Sequence, residues 1–314
     1  MALDELTQFK GIVVSIKANY YIVEIDFSKL QPFSVDGLIL DQNIRLLCTL
    51  RRRLTHHGDT IYVGDIVFVE SIDWSSHRAV ISSLEPRESF LSRPAVANVT
   101  DVFVFLSVKN PLLDFEQASS FLLTAEKSSL RVGLILSKSD LVNAAQLNQL
   151  IMRITGWGYN AIPVSVENGQ GLDTFKSQLK STKLAVLCGP SGVGKSSFLK
   201  YLLPNESIVT GKLSVKLQRG RNTTRNVQLY AIEKDIFIAD TPGFSMPNLL
   251  ISPIKLQTLF PELRCQLKGT ICRFRDCLHR DEPGCGIDKN WERYSQYRKL
   301  LEEMISSHHS CRVS

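Results

Sequence analysis

The segment Gly189-Pro190-Ser191-Gly192-Val193-Gly194-Lys195-Ser196 fits the phosphate-loop pattern GxxxxGK[ST], set after an apolar predicted strand and before a predicted helix. Glycines in such a loop let successive backbone N–H groups turn toward one anion, and the following helix adds its positive N-terminal end. Lys195 is then placed to neutralise β- and γ-phosphate oxygens, the Ser196 hydroxyl to ligate Mg²⁺, and Ser197 extends the run. Further along, Asp240-Thr241-Pro242-Gly243 follows the apolar run Ile236 to Ala239, as the DxxG element of a nucleotide switch should. Asp240 would hold Mg²⁺ through water and the Gly243 amide would bond the γ-phosphate.

Base choice rests on Ser137-Lys138-Ser139-Asp140 at the end of a predicted strand, which is similar to the [NT]KxD element that grips guanine. A carboxylate such as Asp140 accepts two hydrogen bonds from the N1 and exocyclic amine of guanine, which adenine cannot supply, while the Lys138 stem packs over the ring. Ser137 stands where Asn or Thr usually sits. Pro163-Val164-Ser165, ahead of a glycine-rich turn, supplies a companion backbone N–H. The order is unusual: ordinary GTPases run phosphate loop, switches, then base element, whereas here Lys138 and Asp140 precede Lys195. This order implies a circularly permuted sheet, cut after the second switch, and it makes the DxxG loop lead straight into the C-terminal region.

Cys272-x4-Cys277-x-His279-x5-Cys285 gives three thiolates and one imidazole with Pro283 and Gly284 to turn the chain. That donor set suits a closed, tetrahedral, structural Zn²⁺ site with no open position for chemistry. A redox reading leaves His279 unexplained, and Cys48, Cys188, Cys265 and Cys311 lack ligand spacing and read as ordinary thiols. The net charge of +6 is unevenly spread. Lys212, Lys216, Arg219, Arg221 and Arg225 lie in an acid-free stretch between Ile208 and Ile232, and Arg264 to Arg280 carries five basic residues against Asp276 alone. Both stretches are suited to phosphate-rich partners.

The elements that must position these groups fall in three parts. Over residues 1–87, five short apolar strands, at Gly11 to Ile16, Tyr20 to Asp26, Ile44 to Leu50, Thr60 to Glu70 and Ala79 to Ser83, predict a small closed β-barrel of the OB type. Such a barrel serves as a nucleic-acid platform or as a structural cap; Arg51-Arg52-Arg53 and His56-His57 fall on one of its loops. The segment Glu85 to Pro94 has the composition of a linker. Residues 88–249 alternate buried strands with helices at about Phe115 to Ser129 and Ala144 to Thr155, the signature of a parallel α/β sheet. Residues 250–314 form a zinc-binding, α-helical part ending in a helix from about Asn290 to Ile305, with Trp291, Tyr294, Arg298, Leu301 and Ile305 as a packing stripe. At 314 residues, 44% hydrophobic and 22% charged, the chain is neither collagen-like nor wholly disordered. The longest apolar run, Val102 to Val108, is strand-sized, and the acidic start Met1-Ala2-Leu3-Asp4-Glu5 does not read as a signal peptide, so a cytoplasmic protein is expected.

The permuted order, Gly189 to Ser197, Arg219-Gly220-Arg221-Asn222-Thr223-Thr224, Asp240 to Phe244 and the cysteine cluster together closely resemble the small-ribosomal-subunit-dependent GTPases known as RsgA or YjeQ, over nearly the whole chain. The resemblance implies an N-terminal OB barrel, a permuted GTPase and a C-terminal zinc domain. It also implies GTP and GDP as ligands, Mg²⁺ with GTP, one structural Zn²⁺, the small ribosomal subunit and its rRNA as partners, and a role in late subunit maturation at the decoding region. Thr223 or Thr224 is the candidate switch threonine that closes on Mg²⁺. The family usually has His where Asn222 stands. Phe244 occupies the position after DxxG where many GTPases place a water-orienting glutamine, so turnover should be slow without a partner. A monomer suffices for this role. A GTP-controlled RNA-binding module without significant hydrolysis, and a phosphate-loop kinase, are the alternatives; the kinase leaves Asp240 and Lys138 to Asp140 without a role.

Overall fold

The computed structural model describes residues 8–18, 20–26, 33–35, 38–40, 43–51, 54, 60–203, 227–240 and 251–310. Among these, the residues within Met1–Val102, Lys176–Cys188 and Lys195–Phe244 make one compact unit, and those within Phe103–Phe175, Gly189–Gly194 and Ser245–Ser314 make another.

The first unit opens with strands β1 (Phe9–Lys17), β2 (Tyr20–Ile25), the short β3 (Phe33–Val35) and β4 (Leu38–Leu40), β5 (Ile44–Leu50), β6 (Ile66–Asp73) and β7 (Arg78–Leu84). β1 pairs antiparallel with β2, β2 with β5, and β7 with β6, while β5 runs parallel to β7. The circle closes where β6 returns antiparallel to β1, with Phe9 opposite Val69. Five strands therefore leave no open edge, which removes the usual site of unwanted strand pairing. Side chains alternate across each strand, so Val13, Val23, Leu46, Val67, Val69 and Ile81 all point inward and are buried. The closed barrel expected of the N-terminal part is present, its paired strands lying between Phe9 and Leu84.

Two local expectations need correction. The strand expected from Thr60 starts at Ile66, because Tyr62 to Asp65 form a turn in which Asp65 accepts from the Tyr62 N–H at 2.8 Å. Gly64 sits there at φ +90°, and a Cβ on it would lie 2.2 Å from the Ala97 carbonyl. The supposed linker is also ordered. Residues Phe90–Ser92 (β8) and Ala95–Ala97 (β9) form a hairpin around the cis Arg93-Pro94 bond. Arg87 holds the fully buried Asp65 at 2.7 Å, and the Asn98 amide donates to the Gly64 carbonyl at 3.0 Å. Long-range polar bonds between charged residues look like linker composition in a sequence.

The same unit contains β13 (Leu184–Cys188), the helix Lys195–Leu202, and the strands β14 (Gln228–Glu233) and β15 (Ile236–Asp240). β15 runs parallel to β13 and antiparallel to β14, and β14 meets β1 at Ser15. Every residue of β13 is buried, as expected of a central strand with apolar faces on both sides.

In the second unit lie most of β10 (Asp101–Ser107), then α1 (Phe115–Lys127), β11 (Arg131–Ser137), α2 (Ala144–Gly156), β12 (Ala161–Val164) and the start of α3 (Leu172–Leu179); the helix Lys195–Leu202 is α4. The sheet order here is β12, β11, β10, with β11 and β12 parallel. Caps fix the helix starts: Asp114 accepts from the Glu116 and Gln117 amides, and Asn143 with Gln146 forms a reciprocal capping box. The C-terminal part has the short helices α5 (Pro253–Leu256) and α6 (Pro261–Leu267) and the long α7 (Tyr294–Ser310). Leu256, Phe260, Leu263, Tyr297 and Leu301 form its core together with Leu123 of α1.

The last helix begins at Tyr294, not Asn290. Asp288 accepts from the Asn290 amide at 2.9 Å, and the next side chains turn to partners distant in the chain, Glu292 to Arg153 and Trp157 and Arg293 to Glu262. Trp291, Tyr294, Leu301 and Ile305 do pack in the core, as the stripe predicted. Arg298 does not: it faces Asp281 and Glu302 at the surface, and Tyr297 and Met304 complete the buried face.

Candidate nucleotide site and Cys3His centre

The phosphate-loop segment leaves the end of buried β13. Gly189 has φ +138°, and a Cβ there would come within 2.1 Å of the Phe105 carbonyl, so only glycine lets the chain pass. Gly194, at φ +98°, meets almost nothing, so there backbone conformation and not space calls for glycine. Pro190 is half-buried, Ser191 and Gly192 are exposed, and Val193 is buried, anchoring the loop from beneath.

Within the same unit the base element meets this loop. Ser137, at the end of β11, is buried, and its hydroxyl lies 2.6 Å from the Val193 carbonyl and 3.2 Å from the Leu106 carbonyl. The serine thus retains a tie to the phosphate loop at the position where Asn or Thr is usual. Lys138 adopts the left-handed conformation at φ 57°, and its ammonium donates to the Gly192 carbonyl at 2.8 Å and to the Asn110 carbonyl. Asp140 is exposed on a 3₁₀ turn of Ser139–Leu141. Ser139 is buried and its hydroxyl lies 3.2 Å from Gln170 Oε1. Because Ser137 is in register with Val164 across parallel strands, the turns after β11 and β12 leave the same end of the sheet, where open α/β sheets bind ligands. The Ser165 amide is used within its own loop, donating to the Gln170 carbonyl at 3.0 Å.

In the first unit, Lys195 opens α4 and Asp240 ends β15. Burial pushes the Lys195 ammonium below its ordinary pKa, and the nearby Cys188 and Asp240 pull it back up. Burial likewise raises the Asp240 carboxyl, and Lys195 lowers it. The two are thus partly desolvated opposite charges on elements that follow adjacent parallel strands, an arrangement that can neutralise phosphate and hold a divalent cation. Ser196 and Ser197 follow in the first turn of α4, half-buried and exposed. Thr223, Thr224 and Gly243 lie outside the described residues, as do Lys212 to Arg225, Arg52, Arg53, His56 and His57. Arg51 is described, in an ion pair with Glu70 at 2.6 Å.

Sγ of Cys272, Cys277 and Cys285 and a ring nitrogen of His279 all lie within 4.8 Å of one another. His279 Nδ1 is 3.6 Å from Cys272 Sγ and 3.7 Å from Cys285 Sγ. Zinc bonds of about 2.3 Å to sulfur and about 2.0 Å to nitrogen place tetrahedral donors roughly 3.5–3.8 Å apart, so these residues fit that ion. Gln257 Oε1 sits 2.7 Å from His279 Nε2, which places the proton there and leaves Nδ1 as a bare donor. Glu282 shapes the turn by accepting from the Leu278 and Arg280 amides. Elsewhere, burial pushes the Cys48 and Cys188 thiols up to about 12, which makes them inert as nucleophiles. Cys265 is exposed and joins no cluster among the described residues.

The sequence reading missed Asn110, Gln170 and Gln257, which act through backbone or side-chain carbonyl oxygens. Asn110 had a weak signal in its Asn-Pro turn; the glutamines had none. Of the second basic stretch, Arg273 and Arg275 are exposed; Arg264 is exposed as well but pairs with Glu126 through Nη1, and Arg280 lies 4.0 Å from Glu282.

A family model described as RsgA GTPase matches residues 84–250. The chain is 50% identical over 302 residues to a small ribosomal subunit biogenesis GTPase RsgA of Prochlorococcus marinus, covering 96% of this chain and 98% of that protein. Its fold is similar to the crystal structure of YjeQ from Thermotoga maritima, with TM-score 0.74, 28% identity and coverage of 95% and 99% of the two chains. It is also similar to YloQ, described as a circularly permuted GTPase, with TM-score 0.72, 22% identity and 98% coverage of each chain.

Proposed function

The chain belongs to the RsgA GTPase family, and from that premise we propose that this GTP hydrolase binds the small (30S) ribosomal subunit late in its maturation, converting GTP and water to GDP and phosphate and thereby releasing or checking assembly factors near the decoding region. The observation that carries the reading is the bonding of Ser137 and Lys138 to the Val193 and Gly192 carbonyls, which couples the base element to the phosphate loop.

In this reading Asp140 selects guanine, with Ser137, Lys138 and Ser139 positioning it. The amides of Gly189 to Gly194 cradle the phosphates, with Lys195 on the β- and γ-oxygens. Ser196 and Asp240 would hold Mg²⁺, which supplies neutralisation of charge on the transferring phosphoryl group. Thr223 or Thr224 closes over that site, and the Gly243 amide senses the γ-phosphate. Phe244 cannot orient the attacking water, so the subunit completes the site and hydrolysis is slow without it.

Cys272, Cys277, His279 and Cys285 would hold one structural Zn²⁺, a reading supported by their spacing and by the Gln257 contact. The division into an OB-type barrel (1–87), a permuted GTPase (88–249) and a zinc-binding helical part (250–314) is supported by the last barrel strand ending at Leu84 and by the family match over 84–250. Arg273 and Arg275, with the basic residues of Lys212 to Arg225, are the proposed rRNA contacts. The protein acts as a cytoplasmic monomer; no helix among the described residues is long and apolar enough to cross a membrane.

The test is GTP turnover by the zinc-loaded protein, alone and with isolated small subunits, with large subunits and Lys195→Ala as controls. A rise specific to small subunits and abolished by Lys195→Ala is expected. Equal turnover with and without subunits would overturn the partner-completed mechanism.

A further inference from the structure

A cavity of about 490 Å³ lies in the second unit at the start of β11, the end of that strand away from the base element. Arg131 opens β11 and Ser137 closes it, a separation of roughly 20 Å at about 3.3 Å per residue. The cavity is therefore distinct from the nucleotide site. It is lined by residues from three stretches: Glu126 in the last turn of α1 and Ser129 just after it, Tyr159 after α2, and Thr258 and Arg264 of the C-terminal part, with Arg131 beside them.

Two features mark it as built for an anion. Arg264 pairs with Glu126 at 2.5 Å and donates to the Thr258 carbonyl at 2.9 Å, and both bonds use Nη1. The rest of its guanidinium fork makes no hydrogen bond among the described residues and is available for a bidentate partner. The second feature is Tyr159, which is 95% buried by its 5% exposure, and whose hydroxyl makes no hydrogen bond of normal geometry among the described residues. The Glu126 carboxylate, held by Arg264, is the group that acts on the phenol. Burial, reinforced by the Glu126 charge, holds Tyr159 above the ordinary phenol range, so it keeps its proton and remains a donor. A buried hydroxyl with no well-formed hydrogen bond costs stability, and phenylalanine would fill the same space without that cost.

We propose that this cavity is a second, non-catalytic site for a phosphate ester, whose oxygens accept from Arg264 and the Tyr159 hydroxyl. The room beyond one phosphate group suits a nucleotide-sized ligand, and the same chemistry could be presented by a free nucleotide or by an RNA backbone. The proposal does not depend on the ribosomal role.

The test uses the full chain with its phosphate loop saturated with GDP. AMP, adenosine and an RNA decamer lacking terminal phosphates are titrated in turn while the thermal midpoint is followed. AMP or the decamer should raise the midpoint and adenosine should not; a response to AMP alone assigns a free nucleotide, and a response to the decamer alone assigns backbone phosphate. Tyr159→Phe should raise the unliganded midpoint, weaken the phosphate response about tenfold, and leave partner-free GTP turnover unchanged. Arg264→Gln should weaken that response further. No response to either phosphate ligand, or a response undiminished in both variants, would overturn the proposal.

Discussion

The N-terminal barrel and the C-terminal cysteine part solve the same problem, a small core, by different means. In the barrel each of five strands is paired on both sides, so backbone hydrogen bonds close the structure and a single apolar interior fills it. The C-terminal part has no strand among its described residues. Its short helices of 4 and 7 residues hold together through an aromatic cluster of Phe260, Trp291, Tyr294 and Tyr297, the four Cys and His side chains, and polar bonds to α1 and α2. The lesson is that the barrel carries its stability in regular pairing, while the C-terminal part relies on a few irreplaceable contacts.

Removing the zinc proposed at the Cys3His cluster should separate the two most sharply. Chelation, or Cys277→Ser, should destabilise the C-terminal part by about 10 kcal/mol or more, the scale of structural zinc, while the barrel stays folded. Limited proteolysis with mass spectrometry should show cleavage within 251–310 and protection of 8–84. Equal cleavage of both would break the comparison.

Next in size is the buried pair of Arg293 and Glu262, 2.5 Å apart with side chains only 3% and 6% exposed. Arg293 also bonds Ser119 of α1 and lies over the Trp157 and Phe260 rings. Arg293→Ala should cost about 3–5 kcal/mol in urea unfolding, because it strands a buried carboxylate. Pairing Arg293→Met with Glu262→Leu should recover much of that loss; no recovery would locate the cost in the ring contacts instead.

In the barrel the comparable lesion is Leu46→Ala, at a position with no exposure, and it should cost about 2–5 kcal/mol by loss of burial and an unfilled cavity. Its effect on protection of 251–310 should be nil, which hydrogen exchange would check.

The smallest effect concerns Glu292. Burial raises its carboxyl, but hydrogen bonds from Arg153 and Trp157 outweigh that and hold it below its ordinary 4.5. A depressed folded-state value gives stability that is complete above about pH 4.5 and is lost as the pH falls further. With the Glu292 side chain 40% exposed, the pair is screened and its contribution should stay within about 1 kcal/mol. Glu292→Gln should flatten the acid limb of the stability curve by no more than that.

Legibility followed locality. The phosphate loop and the Cys3His set are each written within one short stretch, and the conformations they need, glycines at positive φ or ligands on one tight turn, are local properties of residue type. The buried strands β10 and β13 announced themselves as unbroken apolar runs. By contrast, the segment from Glu85 to Pro94 was misread because Arg87 finds Asp65 only once the barrel has folded, and the start of α7 was misplaced because Glu292 and Arg293 have partners far away in the chain.

The sequence by itself determined the GTPase family, the permuted order of its elements and the clustering of three cysteines with one histidine, since each depends on residue types at fixed covalent spacing. Only the tertiary structure decided that β5 and β7 run parallel to close the barrel, that Ser137 reaches Val193, that Gln257 orients His279, and that Tyr159 lies buried beside Arg264. Those contacts join residues distant in the chain, and their energies depend on geometry and dielectric environment that exist only after the chain has packed.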